Sequence, residues 1–297
     1  MTKRLCRQIG FGKPLLFWGF SLAFGLSRRT SMCSALSSHI LSLLYNQYYF
    51  IFAILPILLF FCGSVMEDDP IIFVLRYGSY KHYFTSKWRS LGVLCSGLWL
   101  GQITILFVTG AGLSVIKQGW DNFSGSSLLK EIAPLLVKSF PGAWVAVFCA
   151  AVYMLMGYWL IALLTLWLGH FLQRQKAIKV LLALYILTIL SIKLPIMSRP
   201  PFCYLTGINH WVLLLHNLTA GWRFPLTVIV TLLFVVTVIC SIQGGWRSAA
   251  HHHRISKGLP AYYRHILFSA SNFLVLAISV IGIIAVGSAQ ESLQSRQ

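Results

Sequence analysis

Apolar residues along this chain gather into blocks, and a helix needs roughly 20 of them in a row to cross a bilayer. Blocks of about that size run over 14–27, 46–65, 91–116, 142–170, 177–195, 225–243 and 266–288. They predict an all-α protein: a polytopic transmembrane helix bundle of six to seven spans, forming a single transmembrane domain over 1–297. The first block is the weakest. Its apolar core, Leu15 to Leu26, is as short as the hydrophobic part of a signal peptide. Arg28 and Arg29 follow at once and no A-x-A cleavage pattern appears, so it reads as a short or broken span.

The polar stretches between the blocks have patterns of their own. Residues 66–90, "MEDDPIIFVLRYGSYKHYFTSKWRS", hold three of the six acidic residues and a basic, aromatic tract. Asp69 before Pro70 is a good helix start, with Asp as cap and Pro at the first helical position. At 100° per residue, Phe73, Tyr77, Tyr80, Tyr83, Phe84 and Trp88 fall within an arc of about 140°. Gly78, Ser79, His82, Thr85, Ser86 and Arg89 lie opposite. This predicts an amphipathic helix, or two short ones hinged at Gly78-Ser79, between spans two and three. The long connection 196–224 opens on Pro200-Pro201 and carries an amphipathic stretch around Trp211–Leu218. It predicts short re-entrant helices on the opposite side of the membrane. "NLT" at Asn217 fits the glycosylation pattern only weakly.

Composition agrees with the blocks. The chain is 57% hydrophobic and 10% charged, against roughly 25% charged in an average soluble domain. Mean hydropathy is +0.75. There are too few charges to cover a soluble surface, so a bilayer is the expected solvent. Lys and Arg outnumber Asp and Glu by 24 to 6. With no RNA-binding or zinc-finger motif, this excess points to membrane topology and anionic headgroups, not nucleic acid. With the amino terminus inside, fifteen basic residues fall in inner segments and nine in outer ones. That orientation makes 1–13 an inner interfacial segment, 66–90 an inner loop and 196–224 an outer loop.

The chemistry is sparse. All six acidic residues lie in predicted loops, so no span carries the carboxylate by which ion-coupled carriers usually mark their path. His170 falls at an inner helix end, and His210 and His216 in the outer loop, as interfacial or packing residues. No G-x-x-x-x-G-K-[ST] is present; "GFGK" at Gly10–Lys13 runs into Pro14. H-E-x-x-H and G-x-S-x-G are absent. Asp121, Glu131 and His210 are the polar candidates for a membrane enzyme on the outer side. "HHHR" at His251–Arg254 suggests only adventitious metal affinity. Seven cysteines form no CxxC pair and read as packing residues, with a disulfide between Cys33 and Cys203 as an alternative. No metal or cofactor site is expected in this chain.

The tract "VLRYGSYKHYFTSKWRS" resembles the loop between spans two and three in the integral membrane subunits of bacterial type-2 ABC exporters. "TKRLCRQIGFGK" is similar to the interfacial connecting helix of that family, and Ile196–Phe224 to its outer re-entrant helices. The resemblance implies that 66–90 holds a coupling helix seated in a cleft of a separate ATPase. Its docking residues would be Arg76, Tyr77, Gly78, Ser79, Lys81, His82, Lys87 and Arg89. Trp211, His210, His216 and Arg223 would be the outer-loop candidates. ATP and Mg would bind in the partner ATPase, and a second membrane chain would complete the assembly in the bacterial cytoplasmic membrane. The cargo would be an amphipathic or antimicrobial peptide. That family has six spans with both ends inside, whereas seven blocks are counted here. The alternatives are a non-transporting accessory or scaffold subunit, or a membrane-embedded enzyme.

Overall fold

The computed structural model describes residues 1–29, 35–66, 77, 80–115, 134, 136–172 and 174–193, with isolated positions at 212, 231, 232, 234–236, 238 and 239. Seven helices are named here: α1 (Thr2–Ile9), α2 (Gly12–Arg29), α3 (Leu36–Leu44), α4 (Gln47–Gly63), α5 (Tyr80–Thr109), α6 (Ala143–Phe171) and α7 (Arg174–Lys193). No strand is present among the described residues. Two helices are long and apolar enough to cross a membrane, Lys81–Thr109 and Ala143–His170, or up to four if the bent pairs α1–α2 and α3–α4 each count as one span. The predicted spans at 225–243 and 266–288 and the outer loop at 196–224 lie outside the described residues, apart from the isolated positions.

The distribution of side chains is compatible with a protein in lipid. Phe11, Phe148 and Met156 are 78%, 69% and 59% exposed. Val93, Leu100, Val108, Leu15 and Leu26 also face outward. Ser21, His39, Gln102, Thr109 and Thr165 are fully buried or nearly so. In hydrocarbon, polar groups turn inward to find partners and apolar ones face the solvent.

Small residues let the helices approach closely. α2 buries Phe17, Ser21 and Gly25, each one turn from the next. A Cβ at Gly25 would stand 2.7 Å from Thr109 Oγ1 on α5, and one at Gly101 would strike the Trp18 indole. This is the small-xxx-small logic of membrane helix pairs. Tryptophan N–H groups then join the helices. Trp18 donates to the Leu98 carbonyl at 3.2 Å, Trp99 to Ala151 at 2.9 Å, and Trp88 to Trp159 at 3.3 Å. Trp159 donates in turn to Ser96 Oγ at 3.0 Å.

Three details differ from the sequence reading. The third span was expected over 91–116. The helix instead starts at Tyr80 and ends at Thr109, where Gly110 leads into Gly112 with φ +88°. Residues 80–90 are therefore the first turns of the same helix as the span, not a separate element. Second, α3 has no counterpart among the predicted elements. It is nine residues long and buries all but Ser42. Third, α4 is irregular: Asn46 caps it by accepting from Tyr49 N at 2.9 Å, and a π-helical turn follows over Phe50–Ile54. α3 and α4 meet at 50° across this break.

Candidate functional site

Two places in the fold concentrate polar chemistry. The first is the amino-terminal end of α5. Lys81, His82 and Arg89 are exposed there, while Tyr83 and Phe84 are buried and Trp88 half-buried. The helical-wheel division holds over these turns. Tyr77 is half-buried and packs edge-on against Tyr83, with ring centroids 5.6 Å apart. Ser86 Oγ lies 3.5 Å from Tyr77 OH. Lys87 belongs to the inward side: it is 6% exposed, and its ammonium sits 5.8 Å from the Tyr83 ring centroid. Phe84 meets the buried His170 ring at 6.4 Å, edge to face. A basic, solvent-facing strip thus rides on an aromatic base that fixes it to the bundle. Arg76, Gly78 and Ser79 lie outside the described residues, as does the Asp69-Pro70 cap.

The second place was not anticipated. Four buried side chains from four helices form one hydrogen-bonded chain. Tyr158 OH on α6 donates to Gln102 Oε1 on α5 at 2.8 Å. Gln102 Nε2 donates to Tyr49 OH on α4 at 3.2 Å. Tyr49 OH donates to Ser21 Oγ on α2 at 2.8 Å, and Ser21 Oγ donates to the Phe17 carbonyl at 2.9 Å. Aromatic rings enclose it: Phe24 stacks on Tyr49 at 4.3 Å, and Phe17 meets Tyr158 edge-on at 6.2 Å. Each polar atom of the chain has at least one partner, which low-dielectric surroundings favour.

Towards the carboxyl end of α5, His39 of α3 pairs through Nε2 with Thr109 Oγ1 at 3.2 Å. The Thr109 hydroxyl donates to the Leu106 carbonyl at 3.1 Å, an arrangement that suits a neutral imidazole protonated at Nε2. Nδ1 is buried with no hydrogen-bond partner among the described residues. Nearby, Arg29 Nη2 donates to the Ala111 carbonyl at 2.6 Å. Leu36 N donates to the Ser114 carbonyl at 3.1 Å. These bonds tie the ends of α2 and α5 and the start of α3 together.

The outer-loop candidates Trp211, His210, His216 and Arg223 lie outside the described residues, as do Asp121, Glu131, Cys33 and Cys203. Among the described residues, no group of three or more His, Cys, Asp or Glu is placed to hold a metal ion. Cys62 and Cys95 face each other across α4 and α5, with sulfurs 4.0 Å apart. No protein-family model, curated protein or solved structure matches the chain.

Proposed function

We propose that this chain is the membrane-embedded subunit of an ATP-driven exporter, and that a separate ATPase docks on the amino-terminal end of α5. The observation that carries this reading is the continuity of α5. The exposed strip of Lys81, His82 and Arg89 stands on the same unbroken helix as Gln102. Lys81 and Gln102 are 21 residues apart on it, about 32 Å at 1.5 Å per residue. A push at the strip therefore reaches the buried polar chain through one rigid element. α4, capped at Asn46 and π-helical just beyond Tyr49, is the neighbour built to yield, since π-turns recur at functional sites. ATP and Mg would be held by the ATPase, and the cytoplasm would lie on the Lys81 side.

A second membrane chain would complete the translocation path. The cargo, by resemblance alone, is an amphipathic peptide. The test is a Lys81→Glu, Arg89→Glu double variant purified from membranes. Both residues are exposed, so the protein should insert and fold as before. Co-purification of a Walker-motif ATPase should fall at least tenfold. Recovery of that ATPase at the unaltered level sinks the docking assignment. The internal pairing of Ser21, Tyr49, Gln102 and Tyr158 favours a second reading, an accessory subunit that carries nothing. Export that persists in cells lacking this chain would establish it.

A further inference from the structure

We propose that α1 is an anchor for acidic phospholipids, with Lys3 and Arg7 binding headgroup phosphates at the membrane surface. α1 and α2 meet at 70°. The turn is made at Gly10, whose φ of +72° only glycine adopts freely. With α2 across the bilayer, α1 lies close to the membrane plane. Its two faces are unlike. Leu5 and Ile9, one turn apart, are buried against the bundle. Lys3, Cys6, Arg7 and Gly10 form the opposite stripe and are exposed.

The depth of this helix is set by its neighbour. Phe11, Leu15, Leu22 and Leu26 are all exposed apolar residues on or at the start of α2. That stripe needs hydrocarbon, and it ends at Phe11, at the corner where α1 begins. Lys3 and Arg7 therefore sit at headgroup level, about two turns and one turn along the chain from the last apolar contact. Lys13 holds the corner: its ammonium is 2.5 Å from the Ile9 carbonyl, closing α1, and 4.7 Å from the Phe60 ring centroid.

Charge complementarity selects the occupant. None of the chain's six acidic residues precedes Glu67, so no carboxylate nearby in sequence competes for these cations. A protein partner would be expected to meet the exposed basic stripe with carboxylates of its own. A lipid phosphate meets it at the depth that Phe11 fixes. Each basic residue held near an anionic surface contributes a roughly fivefold preference, so two give about 25-fold.

The test uses the full chain in nanodiscs of pure phosphatidylcholine and of phosphatidylcholine with 30% phosphatidylglycerol. Amide hydrogen exchange is read over residues 2–9. Exchange should slow at least tenfold in the anionic discs, and Lys3→Glu with Arg7→Glu should abolish the difference. Exchange in α5 and α6 serves as the folding control and should stay constant in both discs. Equal exchange of α1 in the two lipids overturns the proposal. So does a phosphatidylglycerol effect that survives the double substitution, or protection of α1 that appears only in native membranes with a bound protein partner.

Discussion

Gln102→Leu is the most informative single change in this molecule. The side chain is fully buried and bridges Tyr158 and Tyr49 through two hydrogen bonds, at 2.8 and 3.2 Å. Leucine has nearly the same volume, so no large cavity opens. Hydrogen bonds between membrane helices contribute about 0.6 kcal/mol each on average and at most about 1.7. Two of them account for about 1–2 kcal/mol. A stranded polar group costs a further 1–3 kcal/mol or so when nothing replaces its partner. After the substitution Tyr158 OH loses its acceptor, whereas Tyr49 OH keeps Ser21. One hydroxyl is stranded, not two, so the expected loss is about 2–5 kcal/mol.

The asymmetry gives a sharper test than the size. Tyr158→Phe alone removes one bond and leaves Gln102 Oε1 short of a donor, at a cost of about 2–4 kcal/mol. In the double variant the stranded hydroxyl is gone. Gln102→Leu with Tyr158→Phe should therefore be more stable than Gln102→Leu alone, by about 1 kcal/mol. Reversible unfolding of the purified protein in mixed micelles, followed by tryptophan fluorescence, measures all four corners of the cycle. Additive losses, or a Gln102→Leu variant within about 0.5 kcal/mol of the parent, would refute the idea that the chain is closed and dry.

Two further outcomes follow from helix contacts. Gly101→Leu drives a side chain into the Trp18 indole and should cost about 1–3 kcal/mol by overpacking. Trp18→Ala in that background should recover part of the loss; no recovery would mean that α2 and α5 do not cross there. Cys62 and Cys95, with sulfurs 4.0 Å apart, should cross-link under copper–phenanthroline. Trypsin cleavage between them, at Arg76 or Lys81, would then leave two fragments joined until reductant is added. Fragments that separate without reductant, in protein shown to be oxidised, would place the two helices farther apart than described.

The helices were legible wherever apolar runs were long. α6 lies within a residue or two of the predicted 142–170, and α4 of 46–65, because an uninterrupted apolar run in lipid has no alternative to helix. The start of α5 was misplaced for a physical reason. Lys81, Lys87 and Arg89 lower the hydropathy of 80–90, yet nothing in that stretch breaks a helix, so backbone hydrogen bonding carries the span straight through it. α3 escaped notice because "LSSHILSLL" is shorter than a span and rich in serine. Ser38 and Ser42 satisfy their hydroxyls within the turn, by donating to the Ala35 and His39 carbonyls at 2.8 and 2.7 Å, so Ser38 can be fully buried and Ser42 half-buried.

The polar chain was illegible for a different reason. Carboxylates are the conspicuous marks of chemistry inside a membrane, and a search for them passes over an amide. Gln102 was visible in "GLWLGQITILFVT" as an amide within an otherwise apolar span, and such a residue needs a partner inside the bundle. What periodicity could not supply is which partner. Ser21 sits one turn from Phe17 and from Gly25, and Tyr49 follows a capped break, but neither fact names the other. Their meeting depends on how closely α2 approaches α5, which small residues at Gly25 and Gly101 permit. The same residues that bring the backbones together therefore determine which polar groups can pair. A wheel drawn for one helix cannot show this, because the pairing belongs to the crossing and not to either helix.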